Sequence, residues 1–251
     1  MALLKVLLLL VGLGVSVNSG VSLQKRIIGG QNCQDTERLY HVRLESSNGT
    51  HSHRCGGSLI HPLWILTAAR CWKLEPGWTN TAFLKVHPRT NIRYNLGIQD
   101  ALVMYTHNDQ QHDIMLLKLQ TPASDVPLAQ LPDCSYRLKT GDVVQLAGEG
   151  ATTTGPNNRR LTGVALPAQL QCLDMRVVQV SRLFRLYGHV FYSDARNKDI
   201  CIGDVGGAAV HNGKIYGVIS FAHPYHGCQI PAAAMDVCEY LGWIKPITGI
   251  E

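Results

Sequence analysis

The sequence predicts an all-β protein, and three observations carry that prediction. Short apolar stretches at residues 42–44, 58–66, 114–119, 143–147 and 215–221 have strand length and are separated by glycine and proline clusters. Helical spacing is clear in one place, where Val237, Tyr240, Leu241 and Ile244 share a helical face near the C-terminus; Pro246 is expected to stop that helix. No regular alternation of strand and helix runs through the chain, so a barrel or sandwich is expected rather than a βαβ fold.

Taken in chain order, residues 1–19 come first. They carry Lys5, then the run Leu7-Leu8-Leu9-Leu10-Val11, with small Val17 and Ser19 at plausible cleavage positions. This is the pattern of a secretory signal peptide, a signal anchor being the other reading. No later apolar stretch is long enough for a membrane-spanning helix, so no membrane span is expected. Asn48-Gly49-Thr50 is a glycosylation sequon between polar residues, which places Asn48 in a surface loop of a secreted, extracellular protein. Residues 153–160 are polar, with glycine and proline, and read as an exposed loop. The chain has 251 residues and eight cysteines, an even number suited to disulfides in an oxidising compartment, with 105 pairings open to spacing alone.

The formal charge is +5, but Lys5, Lys25 and Arg26 precede the main domain; without them 20 basic residues face 18 acidic ones, a net +2. That balance gives no reason to expect nucleic acid as a partner. One stretch departs from it: Arg159, Arg160, Arg176, Arg182, Arg185, Arg196 and Lys198 stand against Asp174 and Asp194. This is either an ordinary solvated surface or one that engages an anionic glycan, an anionic surface or an acidic protein.

Seven segments, in order, resemble the trypsin-like serine protease family: Ile27-Ile28-Gly29-Gly30, Cys55-Gly56-Gly57-Ser58-Leu59-Ile60, residues 64–71, residues 113–119, Gly148-Glu149-Gly150, Leu170-Gln171-Cys172-Leu173-Asp174 and residues 200–207. The resemblance covers residues 27–245. It implies two six-stranded antiparallel β-barrels with a cleft between them, closed by the C-terminal helix, with residues 27–251 as the domain and 20–26 as a short activation propeptide. It also implies the disulfides Cys33–Cys172, Cys55–Cys71, Cys134–Cys238 and Cys201–Cys228. Two further family bridges are missing, with Val144 and His211 at one and Leu183 and Tyr192 at the other.

The same resemblance locates a site whose chemistry has changed. The family uses a serine nucleophile, a histidine base and a buried aspartate. The matching positions hold Val205, Arg70 and Asp113. Valine has no hydroxyl and arginine stays protonated, so neither can play its family role. Arg70 is expected to form an ion pair with Asp113, because a buried carboxylate needs a compensating partner. His112, adjacent in the strand, should point to the opposite face and lie at the surface.

Other family parts are present. Cleavage by an activating protease after Arg26 would free Ile27 to pair with Asp204, and Gly203 matches an oxyanion-hole donor. Asp199 matches the aspartate of the primary pocket, but Ala222 and Ala232 stand where trypsins carry glycines and narrow it. Asp199 is then either a ligand for a small cation or a carboxylate satisfied by water and Ser220. No metal or other cofactor is expected. The pairs His51 and His53, and His223 and His226, lack further zinc ligands, and residues 87–97 hold no carboxylate for calcium.

These readings converge on a secreted, inactive serine protease homologue, a pseudoenzyme acting as a binding or regulatory protein, with innate defence as one such role. The alternatives are an active trypsin-like serine endopeptidase and a structural or storage protein of a secretion.

Overall fold

Among the described residues, the apolar stretches fall in strands most of whose side chains are buried. The computed structural model describes residues 30–91, 93–150, 167, 169–184, 188–195, 200–201, 203–220, 228–229 and 231–251. The leader, the 20–26 segment and the 153–160 loop lie outside them. In the N-terminal half, β2 (His41–Ser47), β3 (Ser52–His61), β4 (Trp64–Thr67), β5 (Thr79–Leu84), β6 (Tyr94–Leu96), β7 (Ile98–His107) and β8 (Gln110–Leu119) form one antiparallel sheet in the order β6-β5-β2-β3-β4-β8-β7. The stretch 58–66, legible as one apolar run, is a hairpin: His61 pairs with Trp64 across the turn. Ile114, Met115, Leu116 and Leu117 of β8 are fully buried.

The two edges of this sheet, β6 and β7, are separated in the chain by Gly97 alone. A flat sheet of seven strands would hold its edges roughly 29 Å apart at ~4.8 Å per strand. Their covalent continuity therefore requires the sheet to roll up. Counted as one bent strand, β6 and β7 make the N-terminal unit six-stranded. Gln120 N–H donates to Gly97 O at 2.8 Å beside the bend.

The C-terminal half closes on itself through hydrogen bonds. Strands β9 (Val143–Gly148), β10 (Gln171–Phe184), β11 (Gly188–Asp194), β13 (Ala208–His211), β14 (Lys214–Ser220) and β16 (Ala232–Asp236) run β9-β10-β11-β16-β14-β13, and β13 pairs back with β9. This is a closed six-stranded barrel. The short strand β1 (Gln31–Asn32) adds to β10, and β12 (Ile200–Cys201) pairs with β15 (Cys228–Gln229).

Disulfides join Cys33 to Cys172, Cys55 to Cys71 and Cys134 to Cys238. Cys201 is also disulfide-bonded, and the β12–β15 register sets it opposite Cys228. Val144 and His211 lie on adjoining strands, with His211 Nδ1 2.8 Å from Val143 O. Leu183, by contrast, pairs with His189 and Tyr192 with Gln179, so these two do not face each other as a lost bridge would.

Two expectations are corrected. The helix α1 (Leu241–Thr248) runs through Pro246 rather than stopping there. Proline removes one bond of this two-turn helix, and residue 242, four positions earlier, is a glycine. The bonds Ile244 N to Tyr240 O and Gly249 N to Lys245 O hold either end, and Thr248 Oγ1 donates to Ile244 O. His112 does not lie at the surface: it is 4% exposed. It does point away from Asp113, but the segment leading into α1 covers that face, and His112 Nδ1 lies 3.0 Å from the Tyr240 hydroxyl. Tyr105, Tyr240 and Trp243 pack edge-on around the same junction.

Candidate functional site

The cleft residues come from four pieces of chain, each with a local reason for its shape. After β4 the chain tightens into a 3-10 turn, Ala69–Cys71, whose end is tied to β3 by the Cys55–Cys71 disulfide. That turn aims the Arg70 backbone N–H at β8, where it donates to Asp113 Oδ1 at 3.0 Å. The Arg70 side chain follows, its Nε donating to Asp113 Oδ2 at 2.6 Å. Ser220, at the end of β14, donates its hydroxyl to the same oxygen at 2.5 Å.

Asp113 is 6% exposed and Arg70 31%. Burial pushes the Asp113 carboxyl above its usual range, and Arg70 and Ser220 oppose that rise. The expected Arg70–Asp113 ion pair is therefore formed. The Ser220 hydroxyl, which one of the two readings of Asp199 assigned to that carboxylate, donates to Asp113; Asp199 itself lies outside the described residues.

The fourth piece is residues 203–207, between β12 and β13. Gly203 has φ +105° and Gly206 φ +82°, both in the left-handed region that glycine tolerates. A side chain on Gly206 would run into Gly56 O, the Thr67 hydroxyl and Cys71 Sγ. Val205 itself is buried, and its carbonyl accepts from Gly56 N–H at 2.7 Å. Cys71 Sγ also lies 3.6 Å from that carbonyl, so the Val205 backbone adjoins the turn that carries Arg70.

Asp204 is fully buried and points the other way. Its carboxylate accepts from Gly150 N at 2.7 Å and from Cys201 N at 2.8 Å. Burial pushes its pKa up to about 6; the two amides oppose that shift and the charge of Glu149 adds to it. Ala232 is buried in β16 opposite Ser193. Arg26, Ile27, Asp199 and Ala222 lie outside the described residues, as do His223 and His226.

Sequence reasoning missed a buried charge cluster behind this loop. Arg43 of β2 binds Glu149 with both arms, Nε to Oε2 at 2.6 Å and Nη2 to Oε1 at 2.5 Å, and the two side chains are 3% and 5% exposed. Burial, the largest single influence, would raise the Glu149 carboxyl, but the Arg43 hydrogen bonds together with the charges of His41, Arg43 and Arg89 outweigh it and hold it low. His41 Nε2 stands 4.0 Å from Glu149, and burial pulls its pKa down to about 4. The signal was present as His41 and Arg43 alternating with Val42 and Leu44, a polar face on a strand read only for its apolar one.

Among the described residues, one group of potential metal ligands gathers, Cys33, Glu37 and Cys172. Its two sulfurs form a disulfide, so they offer no thiolate. Asn48 sits exposed in the turn between β2 and β3, its Oδ1 accepting from the Thr50 amide and hydroxyl. Of the seven basic residues between 159 and 198, Arg176 and Arg182 are described, both exposed on β10. No helix among the described residues is long and apolar enough to cross a membrane.

The family model described as Trypsin matches residues 27–244. The chain belongs to the trypsin family. Rat trypsin-4 is 32% identical to it over 253 residues, covering 93% of this chain and 94% of that protein. Pig trypsin is 30% identical over 236 residues, covering 88% and 94%. The solved structure of neuropsin, a serine protease of mouse brain, superposes with a TM-score of 0.68 over 87% of this chain and 98% of its own, at 23% identity. That likeness bears on the trypsin-family fold alone. The disulfides of this member are compatible with the oxidising compartment in which secreted proteins fold.

Proposed function

We propose that this trypsin-family chain is a secreted pseudoprotease that acts by binding rather than by hydrolysis. The observation that carries the reading is the occupancy of Asp113. In a working site that carboxylate orients a neutral imidazole, which takes the nucleophile's proton. Here Arg70 binds both carboxylate oxygens, through its backbone N–H and its Nε, and a guanidinium accepts no proton near neutral pH. Val205 supplies no oxygen to attack a carbonyl. In comparable triad enzymes, loss of the nucleophile or base alone lowers turnover by on the order of 10⁶, and loss of both costs little more.

What persists is a cleft framework: the 203–207 loop, Gly203 at the oxyanion-hole position and the ordered Asp113. The ligand on this reading is a protein or an anionic glycan or surface. The test is incubation of purified chain, cut after Arg26, with arginine and lysine ester and amide substrates and with a serine-directed phosphonate. No turnover and no covalent adduct are expected. Stoichiometric labelling of the chain itself, with contaminating protease excluded by mass, would establish the alternative, an active endopeptidase.

A further inference from the structure

A single pair of neighbouring residues in the other barrel reaches Val205 directly and Asp204 by way of Glu149. Arg43 and Gly56 are cross-strand partners in the β2–β3 ladder. Gly56 N–H donates to Val205 O at 2.7 Å, and its lack of a side chain lets the backbone of Gly207 pass close by. Arg43, across the ladder, takes Glu149 in a bidentate, buried grip.

Glu149 is the middle residue of Gly148-Glu149-Gly150, and this tripeptide wraps Asp204. A β-carbon on Gly148 would collide with Asp204 Oδ1, and one on Gly150 would sit 2.5 Å from Oδ2. Gly150 N–H is itself a donor to Asp204, and Gly203 lies so near Gly150 that a side chain there would meet its Cα at 2.8 Å. The pairing of Arg43 with Glu149 thus fixes the strip of backbone on which the Asp204 carboxylate rests. Arg89 Nη2 stands 3.8 Å from Glu149 Oε1 on the same side.

We infer that the buried Arg43–Glu149 pair is a built-in clamp that holds the 203–207 loop in its folded form before any cleavage after Arg26. Among the described residues, the loop's contacts run from Gly56 and Gly150 to Ile219, whose carbonyl accepts from Gly206 N–H at 2.7 Å and whose N–H donates to Gly207 O at 2.8 Å. A charge pair buried on both sides has one favourable geometry, and a bidentate guanidinium fixes orientation as well as distance. Glu149 and Arg43 are therefore positioning residues for the loop, and the inference is independent of whether the cleft binds or hydrolyses anything.

The experiment is hydrogen exchange by mass spectrometry on an uncleavable chain, Arg26→Gln, beside the chain cut after Arg26. Amides of the 203–207 segment are expected to exchange at rates within about threefold in the two forms, since the clamp is present in both. In the uncut chain, Glu149→Gln should speed exchange in 203–207 by at least about tenfold while β3 and β8 stay protected, a local loss that general destabilisation would not produce. Arg43→Lys, which keeps the charge but not the fork, should give an intermediate rate and remain folded if Glu149→Gln does not. Two results would overturn the inference. One is exchange in 203–207 more than tenfold faster in the uncut wild type than in the cut chain. The other is unchanged loop protection in a folded Glu149→Gln or Arg43→Lys variant.

Discussion

Replacing Arg70 with methionine tests whether its role is to neutralise Asp113. The substitution keeps most of the stem's packing and the backbone N–H bond to Asp113 Oδ1, but removes the guanidinium 2.6 Å from Oδ2. Breaking a fully buried pair by removing one partner costs about 3–5 kcal/mol. Two facts reduce that figure here: Arg70 is 31% exposed, so solvent screens part of the interaction, and the Ser220 hydroxyl still donates to Asp113. The expected loss is about 2 kcal/mol at pH 7, which for a domain of this size lowers the melting temperature by roughly 4–8 °C.

The pH dependence carries the diagnosis. Burial already holds the Asp113 carboxyl above its ordinary value, and Arg70 opposes the shift; in Arg70→Met the folded pKa rises further. A folded pKa raised above the unfolded one means that the cost is absent below about pH 4, where Asp113 is neutral in both states, and appears as the pH rises. Thermal melts from pH 4 to 8 should therefore show the variant and wild type converging at the acid end. Adding Asp113→Asn to Arg70→Met should recover most of the deficit at pH 7. A variant that melts within about 1 °C of wild type at pH 7, or a deficit of the same size at pH 4, would refute the reasoning.

Two further outcomes follow from the same site. The Asp204 carboxyl, raised from 3.8 to about 6 by burial, keeps its proton in the folded chain between those values while the unfolded chain loses it. It should therefore remove roughly 3 kcal/mol of stability as the pH rises through that window. Denaturant melts of the uncut chain should show Asp204→Asn gaining on wild type from pH 4 to 6. Cleavage after Arg26 should flatten or reverse that gain as the Ile27 ammonium joins Asp204, and a gain unaltered by cleavage would argue against the pairing. The double variant Arg70→His, Val205→Ser should recover at most weak kcat/KM on a small arginine substrate. Adding Ala222→Gly and Ala232→Gly should raise it; a folded, cleaved quadruple variant with no activity would mean that the cleft differs by more than these four side chains.

The parts of the fold that could be read from the chain are those fixed by local pattern. Residues 114–119 and 215–221 read as strands because successive apolar side chains fill both faces of a covered strand. The cysteine pairs and the 203–207 loop were legible through resemblance, since their motifs keep residue type and order. Pattern failed where a neighbour distant in sequence decided the outcome. The run 58–66 holds a hairpin that turns at Pro62 and Leu63, and β4 pairs onward with β8. His112 was assigned to solvent because alternation gives the opposite face without saying what covers it; Tyr240, 128 residues away, does. Pro246 was given its usual meaning, but Ile244 and Thr248 are anchored on either side of it.

The sequence by itself determined the all-β class, the family and the presence of Arg70 and Val205 in its motifs, because each depends on residue type and order along the chain. The tertiary structure alone decided where the charges go. Arg70 had one partner foreseeable from its motif, Asp113, whereas Arg43 and Glu149 are 106 residues apart in segments read for apolar pattern and glycine spacing. Burial of an ion pair depends on two surfaces closing over it, and no local feature of either segment records that closure. The same closure sets the Asp204 carboxyl at about 6, since desolvation is a property of everything packed around a group rather than of the residues beside it in the chain.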